Sequence, residues 1–215
     1  MSEIKCMIFD MDGTLIDTEK IYRKMWPLAV SKFGYTMTDE QCLQLRSLGS
    51  PYGRLKLEEF FGEDFPYTEV RTYRRKIVAD YLAEHGIDLK PGCKEILDIL
   101  KERGIARAIC TSSDLERTTG YLKRLGLEGK FDKIICTAMV ERGKPAPDAY
   151  EYAVEQMGFP KEACVAVEDS PNGVESAYAA GLKVVMIPDQ SEPDEELSKM
   201  LYAKVNCLLD LVTLL

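Results

Sequence analysis

The sequence is poor in histidine, and it has fewer basic than acidic residues. It holds one histidine, His85, and 28 lysines and arginines against 36 aspartates and glutamates, which gives a net charge of −8 and a pI near 4.9. Proteins bind nucleic acid backbones and anionic lipids through basic patches. We therefore expect neither nucleic acid nor a membrane surface as a partner, and a mechanism built on a histidine base is disfavoured.

Long apolar runs and paired cysteines are also missing. The first apolar run, at residues 6–9, is too short for a membrane span or an export signal, and Asp10 and Asp12 follow it closely. The seven cysteines are odd in number and include no Cys-x-x-Cys pair, which argues against a disulfide framework or a zinc site. We expect a cytoplasmic monomer with free cysteines.

The sequence does contain a regular alternation of strand and helix patterns. Strands that alternate with helices imply crossover connections, a mainly parallel sheet and helices on both of its faces. We therefore predict an α/β fold with a Rossmann-like core. The apolar runs read as strands are residues 4–9, 105–110, 133–136, 164–167, 184–187 and a short run near 205–209.

Residues 16–87 show helical spacing and no convincing strand. We predict that residues 1–15 and 88–215 form the core and that 16–87 form an α-helical cap inserted after the first strand. Within the cap, Ser50-Pro51 predicts an N-cap followed by the first residue of a helix.

In the predicted core, Ser113 and Glu116 have the spacing of a capping box and predict the start of another helix.

Polar residues that suit phosphate and a metal follow the predicted strands. In an open parallel sheet, ligands bind beyond the carboxyl ends of the strands. Carboxylates gathered at that edge repel one another unless a cation lies among them, and Mg²⁺ prefers oxygen ligands. The residues in question are Asp10, Asp12 and Gly13 after the first strand, Thr111 and Ser112 after the second, Lys144 after the third, and Glu168 and Asp169 after the fourth.

These motifs resemble those of the haloacid dehalogenase superfamily, and within it the group of β-phosphoglucomutases and sugar phosphatases with an α-helical cap. The resemblance covers nearly the whole chain. Its motifs are Asp-Met-Asp-Gly-Thr-Leu-Ile-Asp-Thr-Glu at 10–19, Lys-Pro-Gly-Cys at 90–93, Thr-Ser-Ser at 111–113, Gly-Lys-Pro-Ala-Pro-Asp at 143–148 and Val-Glu-Asp-Ser-Pro-Asn-Gly-Val at 167–174.

The resemblance implies a role for each core residue. Asp10 would be the nucleophile and form an aspartyl-phosphate. Asp12 would protonate the leaving oxygen and then activate the incoming water. Thr111 and the backbone N–H of Ser112 would hold phosphoryl oxygens, and Lys144 would neutralise charge on the phosphoryl group and on the nucleophile.

The resemblance also implies a Mg²⁺ cofactor. Its ligands would be the Asp10 carboxylate, the carbonyl oxygen of Asp12, Asp169 and, directly or through a water, Glu168. Gly13 would lie in the phosphate-binding turn. Substrate-contacting candidates on the cap are Tyr22, Trp26, Arg46, Arg54, Arg74 and Arg75.

The favoured function is a Mg²⁺-dependent phosphatase of a small phosphorylated metabolite such as a sugar phosphate. A phosphohexomutase of the β-phosphoglucomutase type is the main alternative. In the mutases, a cap histidine and a cap-loop arginine occupy the positions that correspond to Tyr22 and Tyr52 here, which disfavours this alternative. A dehalogenase would lack Asp12 and the acidic pair at 168–169.

A further alternative, from another class, is a non-enzymatic phospho-accepting switch of the receiver type. Such a switch would be about half as long, and it would have no helical insert. Each motif alone also has a plain structural explanation, such as a hairpin turn at Asp12-Gly13.

Overall fold

Six parallel strands form one sheet in the computed structural model, which describes residues 3–215. Their order is β3-β2-β1-β4-β5-β6, so β1 lies between β2 and β4 and the order reverses beside it. This topology confirms the predicted Rossmann-like core and creates a crevice at the carboxyl end of β1. The strands are β1 Cys6–Phe9, β2 Ala106–Thr111, β3 Lys133–Cys136, β4 Cys164–Glu168, β5 Lys183–Met186 and β6 Ala203–Lys204.

Helices cover both faces of this sheet and form a separate group between β1 and β2. The α-helices of the described residues are α1 Glu19–Ser31, α2 Asp39–Gln44, α3 Tyr52–Phe61, α4 Tyr67–His85, α5 Cys93–Glu102, α6 Leu115–Arg124, α7 Asp148–Met157, α8 Pro171–Ala179 and α9 Glu195–Lys199. Short 3₁₀ helices lie at Thr137–Met139, Lys161–Ala163 and Leu208–Leu214. No described helix is long and apolar enough to span a bilayer.

The alternation of side chains along β1 divides the core into two apolar layers. Met7 and Phe9 pack on one face with α5, which contributes Ile96. Ile8 packs on the opposite face with α7, including the fully buried Tyr150. Successive side chains of a strand point to opposite faces of a sheet, so a strand that is buried on both faces is apolar throughout.

The four helices α1–α4, here called the helical insert, have an apolar core of their own. Trp26 and Val30 of α1 pack there with Leu57 of α3 and Val70 of α4. The division into a core of 1–15 and 88–215 and a cap of 16–87 stays a prediction.

The chain leaves and re-enters the sheet region side by side. Ile16 forms an isolated antiparallel bridge with Leu89. The Asp17 N–H also donates to the Asp88 carbonyl at 2.9 Å.

The last strand prediction was wrong in position. β6 is the pair Ala203–Lys204, and a 3₁₀ helix occupies Leu208–Leu214. Leu208 and Leu211 are buried there in the same layer as α5. Packing against a helix, rather than pairing with a strand, thus decides the structure of this apolar run.

Two predicted helix starts were also wrong. Asp114, rather than Ser113, caps α6 by accepting the Arg117 N–H at 2.9 Å. Helix α3 begins at Tyr52, and Ser50 lies outside it. The Ser50 carbonyl instead accepts the Gly143 N–H at 2.7 Å, so a contact with the core fixes this loop.

Candidate active site

A buried lysine links two buried carboxylates at the carboxyl edge of the sheet. Asp10 follows β1, Glu168 ends β4, and Lys144 enters from the loop after β3. The Lys144 Nζ donates to Asp10 Oδ1 at 2.6 Å, to Glu168 Oε1 at 2.6 Å and to the Cys110 carbonyl at 2.8 Å. Lys144 and Glu168 are 0 % exposed and Asp10 is 2 % exposed. Predicted residues from three separate strand ends thus meet in one cluster.

The negative charge of this cluster exceeds what Lys144 compensates. Burial raises the pKa of Asp10 well above its usual range, and Glu168 adds to the rise although Lys144 opposes it. Burial, followed by the charge of Asp10, also raises the pKa of Asp169 well above its usual range. Burial alone would lower the pKa of Lys144, but its attraction to Asp10 and Glu168 raises it above the usual value.

The three acids have the geometry of a cation site. One oxygen each of Asp10, Glu168 and Asp169 lies within 4.8 Å of the other two. Each residue also carries a buried oxygen without a hydrogen-bond partner: Asp10 Oδ2, Glu168 Oε2 and Asp169 Oδ2. Orphaned buried carboxylate oxygens carry a large free-energy cost. An oxygen-preferring divalent cation such as Mg²⁺ fits this donor set.

The turn after β1 is shaped around Asp169. The Thr14 hydroxyl donates to Asp169 Oδ1 at 3.2 Å. Gly13 has φ +92°, and a Cβ atom placed on it would lie 2.4 Å from Asp169 Oδ2. Glycine is therefore required for the close approach of this turn to the acid. Gly13 does not line the main cavity, and its predicted contact with substrate remains a prediction.

Three hydroxyl groups surround the carboxylate of Asp12. Thr18 donates to Asp12 Oδ1 at 2.5 Å, and Tyr22 donates to the same oxygen at 3.1 Å. The Ser113 hydroxyl donates to Asp12 Oδ2. The helical insert and the core therefore hold this carboxylate from both sides.

A cavity of about 510 Å³ opens above Asp10 and Asp12, between the sheet edge and the helical insert. Thr111 and Ser112 line its core side. The Thr111 Oγ1 accepts the Ser113 N–H at 3.1 Å, which leaves its own proton available to a ligand.

The helical insert lines the other side of the cavity with Tyr22, Trp26 and Glu19. The insert thus encloses the space in front of the predicted nucleophile.

Five arginines also line the cavity: Arg54, Arg71, Arg74, Arg75 and Arg117. Arg54 pairs with Glu58 at 2.6 Å and Arg75 with Asp114 at 2.8 Å. Among the described residues, the other three arginines form no ion pair within 4.0 Å.

Aromatic rings hold two of these arginines. The guanidinium carbon of Arg74 lies 4.1 Å from the ring centroid of Trp26, and that of Arg117 lies 5.4 Å from the ring centroid of Tyr22. Both arginines have a buried Nε without a hydrogen-bond partner. Burial, followed by repulsion from Arg117, lowers the pKa of Arg74 to about 10. An anionic ligand would relieve this repulsion.

Arg46 does not line the main cavity, and the geometry does not support the substrate contact predicted for it. It is 4 % exposed and lies two positions after the end of α2. Its Nε donates to the Leu43 carbonyl at 3.2 Å and its Nη2 to Ser191 Oγ at 2.5 Å. Arg46 therefore joins the helical insert to the loop before α9.

A family model described as a haloacid dehalogenase-like hydrolase matches residues 4–181. The chain belongs to this family.

Two relatives illustrate its range. The chain is 31 % identical to the protein CbbY of Rhodobacter capsulatus over 91 % of this chain and 90 % of the relative. It is 30 % identical to a phosphorylated carbohydrates phosphatase of Thermotoga maritima, over 84 % of this chain and 83 % of the relative.

One solved structure has the same fold as this chain over nearly the full length of both. CbbY of Rhodobacter sphaeroides, crystallised in complex with xylulose-(1,5)bisphosphate, aligns with a TM-score of 0.81 and 26 % identity. The alignment covers 97 % of this chain and 96 % of that one. This haloacid dehalogenase-like hydrolase is accordingly a phosphomonoester hydrolase.

Several residues at the active site of this hydrolase were missed at the sequence level. The Tyr150 hydroxyl donates to Glu168 Oε1 at 2.6 Å, but an aromatic residue inside an amphipathic helix is indistinguishable from core packing. Ser113 was included in the polar motif after the second strand and was also assigned to a helix cap because of its spacing from Glu116, but its contact with Asp12 was not predicted. Glu19 lies within the first motif and could have been found there.

Proposed function

We propose that this hydrolase releases phosphate from a small phosphorylated carbohydrate through phosphorylation of Asp10, with Mg²⁺ bound beside it. The observation that carries the proposal is the buried cluster of Asp10, Lys144, Glu168 and Asp169 at the floor of the cavity. Phosphoryl transfer is catalysed mainly by positioning and charge compensation, and this cluster supplies both.

In the first step, a carboxylate oxygen of Asp10 bonds to phosphorus while the bond to the ester oxygen breaks. Asp12 donates the proton that the leaving alkoxide needs. In the second step, Asp12 accepts a proton from a water molecule whose oxygen attacks the phosphorus of the aspartyl-phosphate. The bond to Asp10 then breaks, so inorganic phosphate leaves and both carboxyl groups return to their starting states.

The remaining core residues position the phosphoryl group. The Thr111 hydroxyl and the Ser112 N–H would donate to its oxygens, and Lys144 would balance charge between it and Asp10. Mg²⁺, when bound, would neutralise charge on the phosphoryl group. Asp10, Asp169, the Asp12 carbonyl oxygen and, directly or through water, Glu168 would hold it.

The cavity also suggests the class of substrate. Glu19 and Asp12 can accept hydrogen bonds from hydroxyl groups near the phosphoester. Arg71 and Arg74 line the cavity without an ion pair to any described residue and provide positive charge for a second anionic group on the same molecule, and Arg117, which donates to Ser113, lies beside them. The name of the Thermotoga relative refers to phosphorylated carbohydrates, and the Rhodobacter sphaeroides structure is a complex with a sugar bisphosphate. We therefore propose a phosphorylated sugar that bears a second phosphate or a carboxylate.

The test is the release of inorganic phosphate from a panel of sugar monophosphates, sugar bisphosphates and phosphorylated sugar acids in the presence of Mg²⁺. Asp10→Asn protein and an EDTA-treated sample serve as blanks. We expect release only in the untreated wild type, and faster release from the doubly anionic compounds. Release from no compound, or equal release in the Asp10→Asn blank, would contradict the proposal.

The same reactions distinguish hydrolysis from intramolecular transfer. An isomerised sugar phosphate that appears without free phosphate would replace the phosphatase by the mutase alternative. Tyr22 places a hydroxyl at 3.1 Å from Asp12 Oδ1, at the position where the mutases carry histidine. We therefore expect hydrolysis.

A further inference from the structure

Two glycines bring the helical insert into backbone contact with the core loop that carries Lys144. The Gly49 N–H donates to the Lys144 carbonyl at 2.9 Å, and the Gly143 N–H donates to the Ser50 carbonyl at 2.7 Å. We call this pair of hydrogen bonds the docking contact. Its two backbone hydrogen bonds run in opposite directions between the two loops.

The docking contact is unusual among the contacts between the helical insert and the core. In the described part of the chain, the other backbone hydrogen bonds between them lie where the chain crosses, at residues 15–17 and 88–90. The remaining contacts involve side chains, such as Arg75 with Asp114 and Asn172 with the Arg46 carbonyl. Among the described residues, the docking contact is therefore the one pair of backbone-to-backbone hydrogen bonds between insert and core that is distant from the crossing.

Both positions need glycine because of space rather than backbone conformation. A Cβ atom on Gly49 would lie 2.6 Å from the Gly143 Cα, and a Cβ atom on Gly143 would lie 2.6 Å from the Gly49 Cα. Carbon atoms in ordinary van der Waals contact are about 3.5–4.0 Å apart. The obstructing atoms belong to the backbone, so a side chain at either position forces the two loops apart.

The docking contact reaches the phosphate-binding residues directly. Its carbonyl acceptor belongs to Lys144, whose Nζ bonds Asp10 and Glu168 at 2.6 Å each. The same loop of the insert also holds Ser112, whose hydroxyl donates to the Ser47 carbonyl at 2.7 Å. A single loop of the insert thus contacts two residues that face the phosphoryl group.

We propose that Gly49 and Gly143 are positioning residues: their contact docks the insert and fixes Lys144 and Ser112 for phosphoryl transfer. This inference rests on the proposed function for its kinetic part only. Docking itself is a property of the two loops and can be measured without turnover.

Trp26 reports docking independently of catalysis. It is the single tryptophan of the chain, it is 8 % exposed, and it lines the cavity beneath the insert. Its quenching by acrylamide would be measured with MgCl₂ and inorganic phosphate present. The proteins are wild type, Gly49→Ala, Gly143→Ala and Gly120→Ala. Gly120 is the matched control because it lies in α6 with no atom within 4 Å of its missing Cβ.

We expect both docking variants to show stronger quenching than wild type and Gly120→Ala. With a substrate from the phosphate-release panel, their kcat should fall by about 100-fold, as expected when catalytic groups move by roughly 1 Å. Their thermal midpoints should stay close to that of wild type, because neither glycine belongs to an apolar cluster of the protein.

Equal quenching in all four proteins would overturn docking, and unchanged kcat in variants with stronger quenching would overturn the positioning role. Unfolding of both docking variants at temperatures where Gly120→Ala is folded would also overturn the proposal, because the glycines would then be structural. If wild type turns over no compound, the proposed function fails, and quenching alone decides whether the contact docks the insert.

Discussion

The edge of the sheet and the arginine-lined face of the helical insert handle charge in different ways. At the sheet edge, Lys144 lies between two carboxylates and makes three hydrogen bonds within 2.8 Å. On the insert, Arg74 rests on the ring of Trp26 and leaves its Nε without a partner. Under the proposed function the first arrangement binds the phosphoryl group, whereas the second would accept any anion of suitable size. The chemistry therefore resides in the core, and selectivity depends on the insert.

The sharpest way to test the core half of this comparison is Asp12→Asn. The general acid and base are both lost, so steady turnover should fall by about 10²- to 10⁴-fold. With p-nitrophenyl phosphate, whose leaving group needs no proton, a burst equal to the enzyme concentration should remain before turnover stalls. Stopped-flow absorbance measures the burst.

An alkyl phosphate provides the control for this variant, because its leaving group does need a proton. We expect no burst with it. Unchanged turnover of the alkyl phosphate would contradict the acid role of Asp12.

Lys144→Met tests how strongly the core depends on charge compensation. Removing one partner of a buried ion pair leaves uncompensated charge and costs about 3–5 kcal/mol. We expect the free energy of unfolding of the metal-free protein, measured by urea denaturation, to fall by that amount. Lys94→Met, at an exposed position of α5, is the control. A loss no larger than in the control would show that Lys144 is not needed for charge balance.

Arg74→Met tests the insert half of the comparison. A hydrogen bond to a charged group contributes about 1.5–3 kcal/mol, so kcat/KM for a doubly anionic sugar should fall by about 10- to 100-fold. Turnover of p-nitrophenyl phosphate should change little. Lys76→Met, on the same helix but 69 % exposed, is the matched control. An equal loss with both substrates would assign Arg74 to the chemistry instead of to selectivity.

The last test is a pH-dependent one at Glu19. Burial, followed by the charge of Asp12, raises the pKa of Glu19 from 4.5 to about 8. Between these values the unfolded chain releases its proton while the folded protein keeps it, so this contribution to stability is lost as the pH rises. In EDTA, the thermal midpoint of Glu19→Gln minus that of wild type should therefore increase as the pH is raised from about 5 to about 8. A constant difference would contradict the raised pKa.

The core was predictable from the sequence because its functional residues follow apolar strands within compact motifs. Parallel topology then requires Asp10, Lys144 and Glu168 to meet, although they are far apart in the chain. The spacing of Ser113 and Glu116 wrongly predicted a helix cap, because the Ser113 hydroxyl donates to Asp12 instead. These two residues are 101 positions apart in the chain.

The insert was less predictable, since helical spacing does not show which face meets the core. Arg46 was predicted to contact substrate, but it does not line the main cavity and donates to Ser191 instead. Arg71 and Arg117 were not predicted, yet both line the cavity. Their positions follow from how α4 and α6 pack, and this information is absent from local patterns.

The most direct test of the account is to locate the phosphoryl group on the enzyme. Wild-type protein would be mixed with a ³²P-labelled substrate from the panel, quenched in acid within a single turnover, digested and mapped. The account predicts acid-stable, base-labile label on the peptide that contains Asp10, and none in Asp10→Asn. Label on another residue, or rapid phosphate release with no labelled enzyme at any time point, would contradict it.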